Sequence, residues 1–204
     1  AYVCYEPQKL LIVKHLFEQE APHRVIIFTD SKKKTKELAL SIIRAGYNAR
    51  AMHSDLSQAE RDEVMFSFRS GKTDILVATD IVARGIDIDD IALVINFDVP
   101  RDEEDHVHRI GRTARAGRGG RAVTFVAEKD MHYFRQIERF LGKEIPKEVV
   151  PEELGETPTY KSEVAGGKRH HAKGKHAEKG KGGDKSKKRR YYHNNKKQKK
   201  EGNK

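Results

Sequence analysis

The chain has 204 residues, a formal net charge of +10, one cysteine and no tryptophan. A single cysteine cannot close an internal disulfide, so a disulfide-stapled scaffold is excluded and a reducing compartment, the cytoplasm, is expected. No run of about 18 apolar residues occurs, which leaves no candidate for a membrane-spanning helix.

The charge is uneven. Residues 161–204 carry 17 Lys and Arg against 4 Asp and Glu, whereas residues 1–160 carry 24 against 27. The sequence therefore divides into a mildly acidic body over 1–145, a Pro-containing linker over 146–160 with Pro146, Pro151 and Pro158, and a basic tail over 161–204. The tail has almost no apolar residues and cannot offset its conformational entropy by burial, so disorder is expected there. The opening Ala1-Tyr2-Val3-Cys4-Tyr5 lacks the regions of a signal peptide and an initiator Met, and reads as the start of a piece cut from a longer chain.

Within the body, short apolar runs alternate with amphipathic stretches. Glu6 to Glu20 carries Leu10, Leu11, Val13, Leu16 and Phe17 at helical spacing. Arg24 to Thr29 is a near-continuous β-branched run, as expected of a strand buried on both faces. Lys32 to Ala45 reads as a helix between the capping types Asp30 and Ser31 and Gly46. Asn48 to Met52 is a second strand. Ser57 with Glu60 forms a capping box for a helix that ends near Arg69. Asp74 to Thr79 and Ile91 to Phe97 are further strands. Asp102 to Gly111 is a helix with acidic residues in its first turn, where they complement the dipole. Arg121 to Val126 and Lys129 to Leu141 complete the pattern. Alternation of this kind predicts an α/β fold in three layers, a parallel sheet flanked by helices, with ligands collecting beyond the carboxyl ends of the strands.

Three stretches carry chemistry. His108-Arg109-Ile110-Gly111-Arg112-Thr113-Ala114-Arg115 precedes Gly117, Gly119 and Gly120. Its three arginines, spaced by three, are expected to share a helix face, and guanidinium forks match phosphate oxygens two at a time. A solvated basic face is the plainer reading. Thr79-Asp80 through Arg84-Gly85-Ile86-Asp87 combines a hydroxyl, a conformationally permissive glycine and an acid able to hold a ribose, or else is a polar loop with an internal Arg84–Asp87 pair. His53-Ser54-Asp55 leads into Gln58 and Arg61, which are placed to face one ligand or simply to cap a helix. Gly71-Lys72-Thr73 imitates the end of a P-loop, but Phe66 stands where the first glycine is required. No Cys cluster or His-Glu spacing supports zinc. The chain gathers arginines for phosphates yet lacks the loop that cradles them.

Taken together, these stretches resemble the C-terminal RecA-like domain of superfamily 2 helicases, and among them the DEAD-box RNA helicases. Val25 to Thr29 resembles motif IV, Gln58 with Arg61 the QxxR element, Ala78 to Asp87 motif V, and His108 to Arg115 motif VI. The resemblance covers about residues 5–145. It implies that Arg112 and Arg115 reach the γ-phosphate of ATP, Arg115 as the arginine finger; that Gly85 and Asp87 meet the nucleotide; and that His108 communicates with the acidic motif of a preceding RecA-like domain. It implies that Thr29, Gln58, Arg61, Thr79, Asp80 and Gly85 line or shape an RNA-backbone track. The P-loop and most of the Mg²⁺ coordination would belong to that N-terminal domain. Ala114 and Ser54 depart from the glycines frequent at those places. In the tail, Lys187, Lys188, Arg189 and Arg190 precede Tyr191 and Tyr192, a combination that holds single-stranded RNA by charge and stacking. The expected partners are RNA and the N-terminal domain, with the protein monomeric. A non-catalytic RNA-binding module and a DNA-directed relative are the alternatives.

Overall fold

The computed structural model describes residues 1–80, 91–113 and 120–163. Its elements, in chain order, are β1 (Tyr2–Val3), α1 (Gln8–Gln19), β2 (Val25–Thr29), α2 (Lys32–Arg44), β3 (Ala49–Met52), α3 (Gln58–Arg69), β4 (Ile75–Thr79), β5 (Leu93–Asn96), α4 (Glu103–Ile110), β6 (Arg121–Val126) and α5 (Met131–Leu141). Six strands form one sheet in the order β1-β6-β5-β2-β4-β3, and each neighbouring pair is parallel.

The β-branched runs explain the layering. Every residue of β2 is buried. Alternate side chains of a strand point to opposite faces. Val25 and Ile27 accordingly pack with Ile12, Val13, Leu38 and Ile42 from α1 and α2. Ile26 and Phe28 pack on the other face with Val64, Met65 and Phe68 of α3. At the far end of the sheet, Phe134 and Ile137 of α5 close over Val126 and Val99.

The local signals read from the sequence are found in place. Ser57 and Glu60 form the reciprocal capping box at α3. Asp102 caps α4 by accepting from the Glu104 amide at 2.8 Å. α5 ends at Gly142, whose φ of 65° is costly for other residues.

Two features differ from the sequence expectation. The first is β1, a two-residue strand that exists only because β6 pairs with it. The second corrects the reading of 146–160 as a linker, since this segment is part of the folded body. Glu148 bridges Tyr2 and donates its amide to the Ala1 carbonyl at 2.7 Å. Val150 enters the core, with Leu154 packed against it. Gln8 Nε2 donates to the carbonyls of Leu154 (2.7 Å) and Glu156 (3.0 Å). Proline bars helix and inner strand but does not prevent packing, and these contacts use exposed carbonyls and a few apolar side chains. Of the expected basic tail only Lys161, Ser162 and Glu163 are described; Lys187, Lys188, Arg189 and Arg190 lie outside the described residues.

The clamp on this segment is Glu138 of α5, which is fully buried. Its carboxylate accepts from Lys147 Nζ, from the Ile145 amide at 2.9 Å, from Tyr160 Oη at 2.7 Å and from Ser162 Oγ at 3.0 Å. Burial alone would push this carboxyl upward, but the four donors outweigh it and hold it below the usual glutamate range. A lowered carboxyl contributes stability that is present above its unfolded-state pKa and is lost as the pH falls through the folded value. Glu138→Ala leaves several donors without their shared acceptor and is expected to cost about 2–4 kcal/mol in urea unfolding. It should also flatten the acid limb of stability against pH.

Candidate functional site

The parallel register sets the site. Thr29, the last residue of β2, is the register partner of Thr79, the last residue of β4. Two residues that the sequence assigns to one track are therefore neighbours at the carboxyl edge of the sheet. They are not equally available. Thr29 is buried and its hydroxyl lies 2.6 Å from that of Thr35, while Thr79 is half-buried.

Asp80 follows Thr79 and turns inward to Arg109 of α4. Nε and Nη2 of Arg109 donate to the two Asp80 carboxylate oxygens, each at 2.6 Å. Nη1 donates to Asn96 Oδ1 at 3.2 Å and to the Asp98 carbonyl at 2.9 Å. The guanidinium lies over the Phe28 ring, 5.0 Å from its centroid. The Arg109 side chain is only 4% exposed, so the expectation of one common arginine face is corrected for Arg109, which is turned inward by these partners. The helix ends at Ile110 and Thr113 already bridges Ile91, so Arg112 lies outside the helical repeat that carries Arg109.

A second buried group ties the neighbouring loops. The Asp98 carboxylate accepts from Lys9 Nζ at 3.1 Å, from Lys34 Nζ at 2.7 Å and from the Asp30 amide at 3.0 Å. Glu6 and Asp130 also face Lys9, at 3.1 and 3.5 Å, so the cation among these three acids is a lysine ammonium. Burial opposes the charge of Lys9, but the carboxylates of Asp98 and Glu6 more than offset it and the amine is shifted upward. For Asp98, burial works against ionisation, yet Lys9, Lys34 and the Asp30 amide leave its carboxyl lowered.

Beyond β3 the loop carries His53, Ser54 and Asp55. Asp55 holds Lys32 (2.8 Å) and Lys36 (2.7 Å), and hydrogen bonds from these lysines draw its carboxyl down to about 2. These partners balance the lysines of the first turns of α2, at the positive end of a helix dipole. Gln58 is exposed and donates to Asp62 at 2.8 Å. Arg61 is half-buried and donates to the Ser54 carbonyl at 3.0 Å. The two side chains rise from the same helix start.

His108 is exposed on α4 and Arg112 is half-buried just after it. α4 leads away from the carboxyl edge, because Thr113 bridges Ile91, two residues before β5. Thr29-Asp30, His53-Ser54-Asp55 and Thr79-Asp80 lie at the carboxyl ends of β2, β3 and β4, whereas Arg112 follows the end of α4. Gly85, Asp87 and Arg115 lie outside the described residues. Sequence reasoning passed over Asn96 and Asp98, although two polar residues closing an apolar strand were the available signal.

Residues 8–117 match the family model described as the helicase conserved C-terminal domain. The chain belongs to that family. It is 45% identical over 142 residues to the ATP-dependent rRNA helicase RRP3 of Phaeosphaeria nodorum, covering 70% of this chain and 26% of the relative. Among solved structures it resembles the E. coli DEAD-box protein SrmB bound to regulator of ribonuclease activity A, with a TM-score of 0.71 and 35% identity over 79% of this chain and 93% of that one. S. cerevisiae Dbp5 bound to RNA and ADP BeF3 gives a TM-score of 0.66 and 32% identity over 74% of this chain and 40% of that one. The chain spans about a quarter of the length of the curated relatives it matches. The fold is the RecA-like one of DEAD-box C-terminal domains, and no helix among the described residues is long and apolar enough to cross a membrane.

His106 gives this helicase domain a measurable acid response. It is buried on α4, and burial together with the nearby Arg109 lowers its pKa to about 4 from the usual 6.5. Between these values the unfolded chain takes the proton first, so stability rises with pH across this window and falls as acid is added. A shift of this size corresponds to roughly 3 kcal/mol. His106→Leu, at a site where Nδ1 has no hydrogen-bond partner, is expected to reduce the slope of stability between pH 6.5 and 4.

Proposed function

We propose that the longer protein to which this domain belongs is an ATP-dependent RNA helicase, and that this domain supplies half of its ATP site and half of its RNA track. The observation that carries the reading is the register pairing of Thr29 with Thr79, with α4 fastened to the next residue, Asp80. It joins a polar strand-end edge to the helix that precedes the arginine-rich turn. RRP3 is an ATP-dependent rRNA helicase, and Dbp5 is bound to RNA and ADP BeF3 in its solved structure.

In this reading the site is split across two domains and becomes competent only when RNA and ATP draw them together. Arg112 and Arg115 meet the γ-phosphate, where they stabilise the charge of the transferring group. Asp87 and Gly85 meet the nucleotide, and His108, being exposed, is available to the acidic motif of the N-terminal RecA-like domain. That domain supplies the P-loop and most of the Mg²⁺ coordination. Thr79, Gln58 and Arg61 contact the RNA backbone. Thr29, whose hydroxyl is engaged with Thr35, shapes the track, and Asp80 acts through Arg109. Lys187, Lys188, Arg189 and Arg190 add affinity without sequence preference. The protein works as a monomer in the cytoplasm.

The deciding experiment is ATPase measurement on the longer protein with and without RNA. Arg115→Ala should lower RNA-stimulated turnover by about 10³-fold or more while leaving RNA affinity within about threefold. Near-normal turnover would remove the arginine from this role. The 204-residue chain alone should show no ATP hydrolysis. Deleting residues 164–204, which spares the Glu138 clamp, should weaken RNA binding at low salt and flatten its salt dependence; an unchanged affinity would mean that the tail is only a solubilising appendage.

A further inference from the structure

We infer that Arg109 is a positioning residue that couples the two ligands, linking the RNA-side strand end at Thr79–Asp80 to the phosphate-side turn after α4. The inference rests on the helicase reading above. It gives Arg109 a task different from that of the arginine three residues later.

The geometry removes Arg109 from direct contact with a phosphate. Four hydrogen bonds already engage its guanidinium, one face stacks on Phe28, and the side chain is 4% exposed. The same bonds join the ends of β4 and β5, and Asp98 ties in that of β2. Asp80 continues β4, Asn96 closes β5, and Asp98 reaches β2 by accepting the Asp30 amide. A parallel two-bond fork fixes direction as well as distance, which a single hydrogen bond does not. Displacement of Asp80 by a ligand at Thr79 is therefore transmitted to the last turn of α4, and Arg112 follows Arg109 by one turn-length of chain.

The effect belongs to binding linkage. If RNA tightens nucleotide binding by some factor, nucleotide must tighten RNA binding by the same factor. A residue that only supports the fold alters both ligands alike, whereas a coupling residue alters the factor. Lysine at position 109 keeps the charge and loses the planar fork.

The test measures the RNA dissociation constant of the longer protein, alone and with a non-hydrolysable ATP analogue. Wild type is expected to bind RNA more tightly with the analogue. In Arg109→Lys the affinity for RNA alone should stay within about threefold, while the tightening should shrink by about tenfold, within the usual range of such couplings. A tightening factor equal to wild type overturns the inference, whatever the absolute affinities. Should Arg109→Lys not fold, Asn96→Ala removes one acceptor and leaves the carboxylate fork. It should then shrink the tightening by about threefold, and an unchanged factor again overturns the inference. A wild type that shows no dependence on the analogue removes the helicase reading itself, and so separates the two failures.

Discussion

A buried guanidinium between three strand ends fixes the edge of this sheet. Taking a charge out of water is costly unless its partners replace the lost hydration. Here a bidentate carboxylate, a side-chain amide, a backbone carbonyl and an aromatic face do so together. Removing any one would leave a buried group unmatched, and for this reason such an arrangement holds one geometry rather than several. The loops that follow β2, β4 and β5 inherit that geometry because each contributes a partner, directly or through Asp98.

The arginines of one short motif thus divide by environment. Arg109 is inward and matched, whereas Arg112 lies past the helix end and is half-buried. Residue type is the same, and the difference comes from where α4 stops. α4 ends at Ile110, and Thr113 docks beside Ile91.

Much of the architecture was legible because each signal was local. The runs Val25–Thr29 and Ile75–Thr79 declared themselves as buried strands, and Ser57 with Glu60 marked a helix start, since neighbours within a few residues decide these features. β1 was not legible. Two residues have no period, and their strand character is imposed by β6, more than a hundred residues away. The packing of the segment after Pro146 is not legible for a related reason. Its prolines signal an absence of regular structure, but its attachment depends on Glu138, an acid on the inner side of α5 whose partners arrive later in the chain. At the site, the residue types were readable and their orientation was not. A spacing of three suggested a shared face, and only the partners of Arg109, which come from other strands, turn it inward.

Lys9 has a consequence of another kind. Three acids converge on a fully buried ammonium that belongs to the chain itself. Were a dissociable ion seated there, the order of the surrounding loops would follow the ionic composition of the solution. A tethered amine arrives with the first helix at one copy per molecule and cannot be chelated away. The loop frame is therefore self-sufficient in counter-charge.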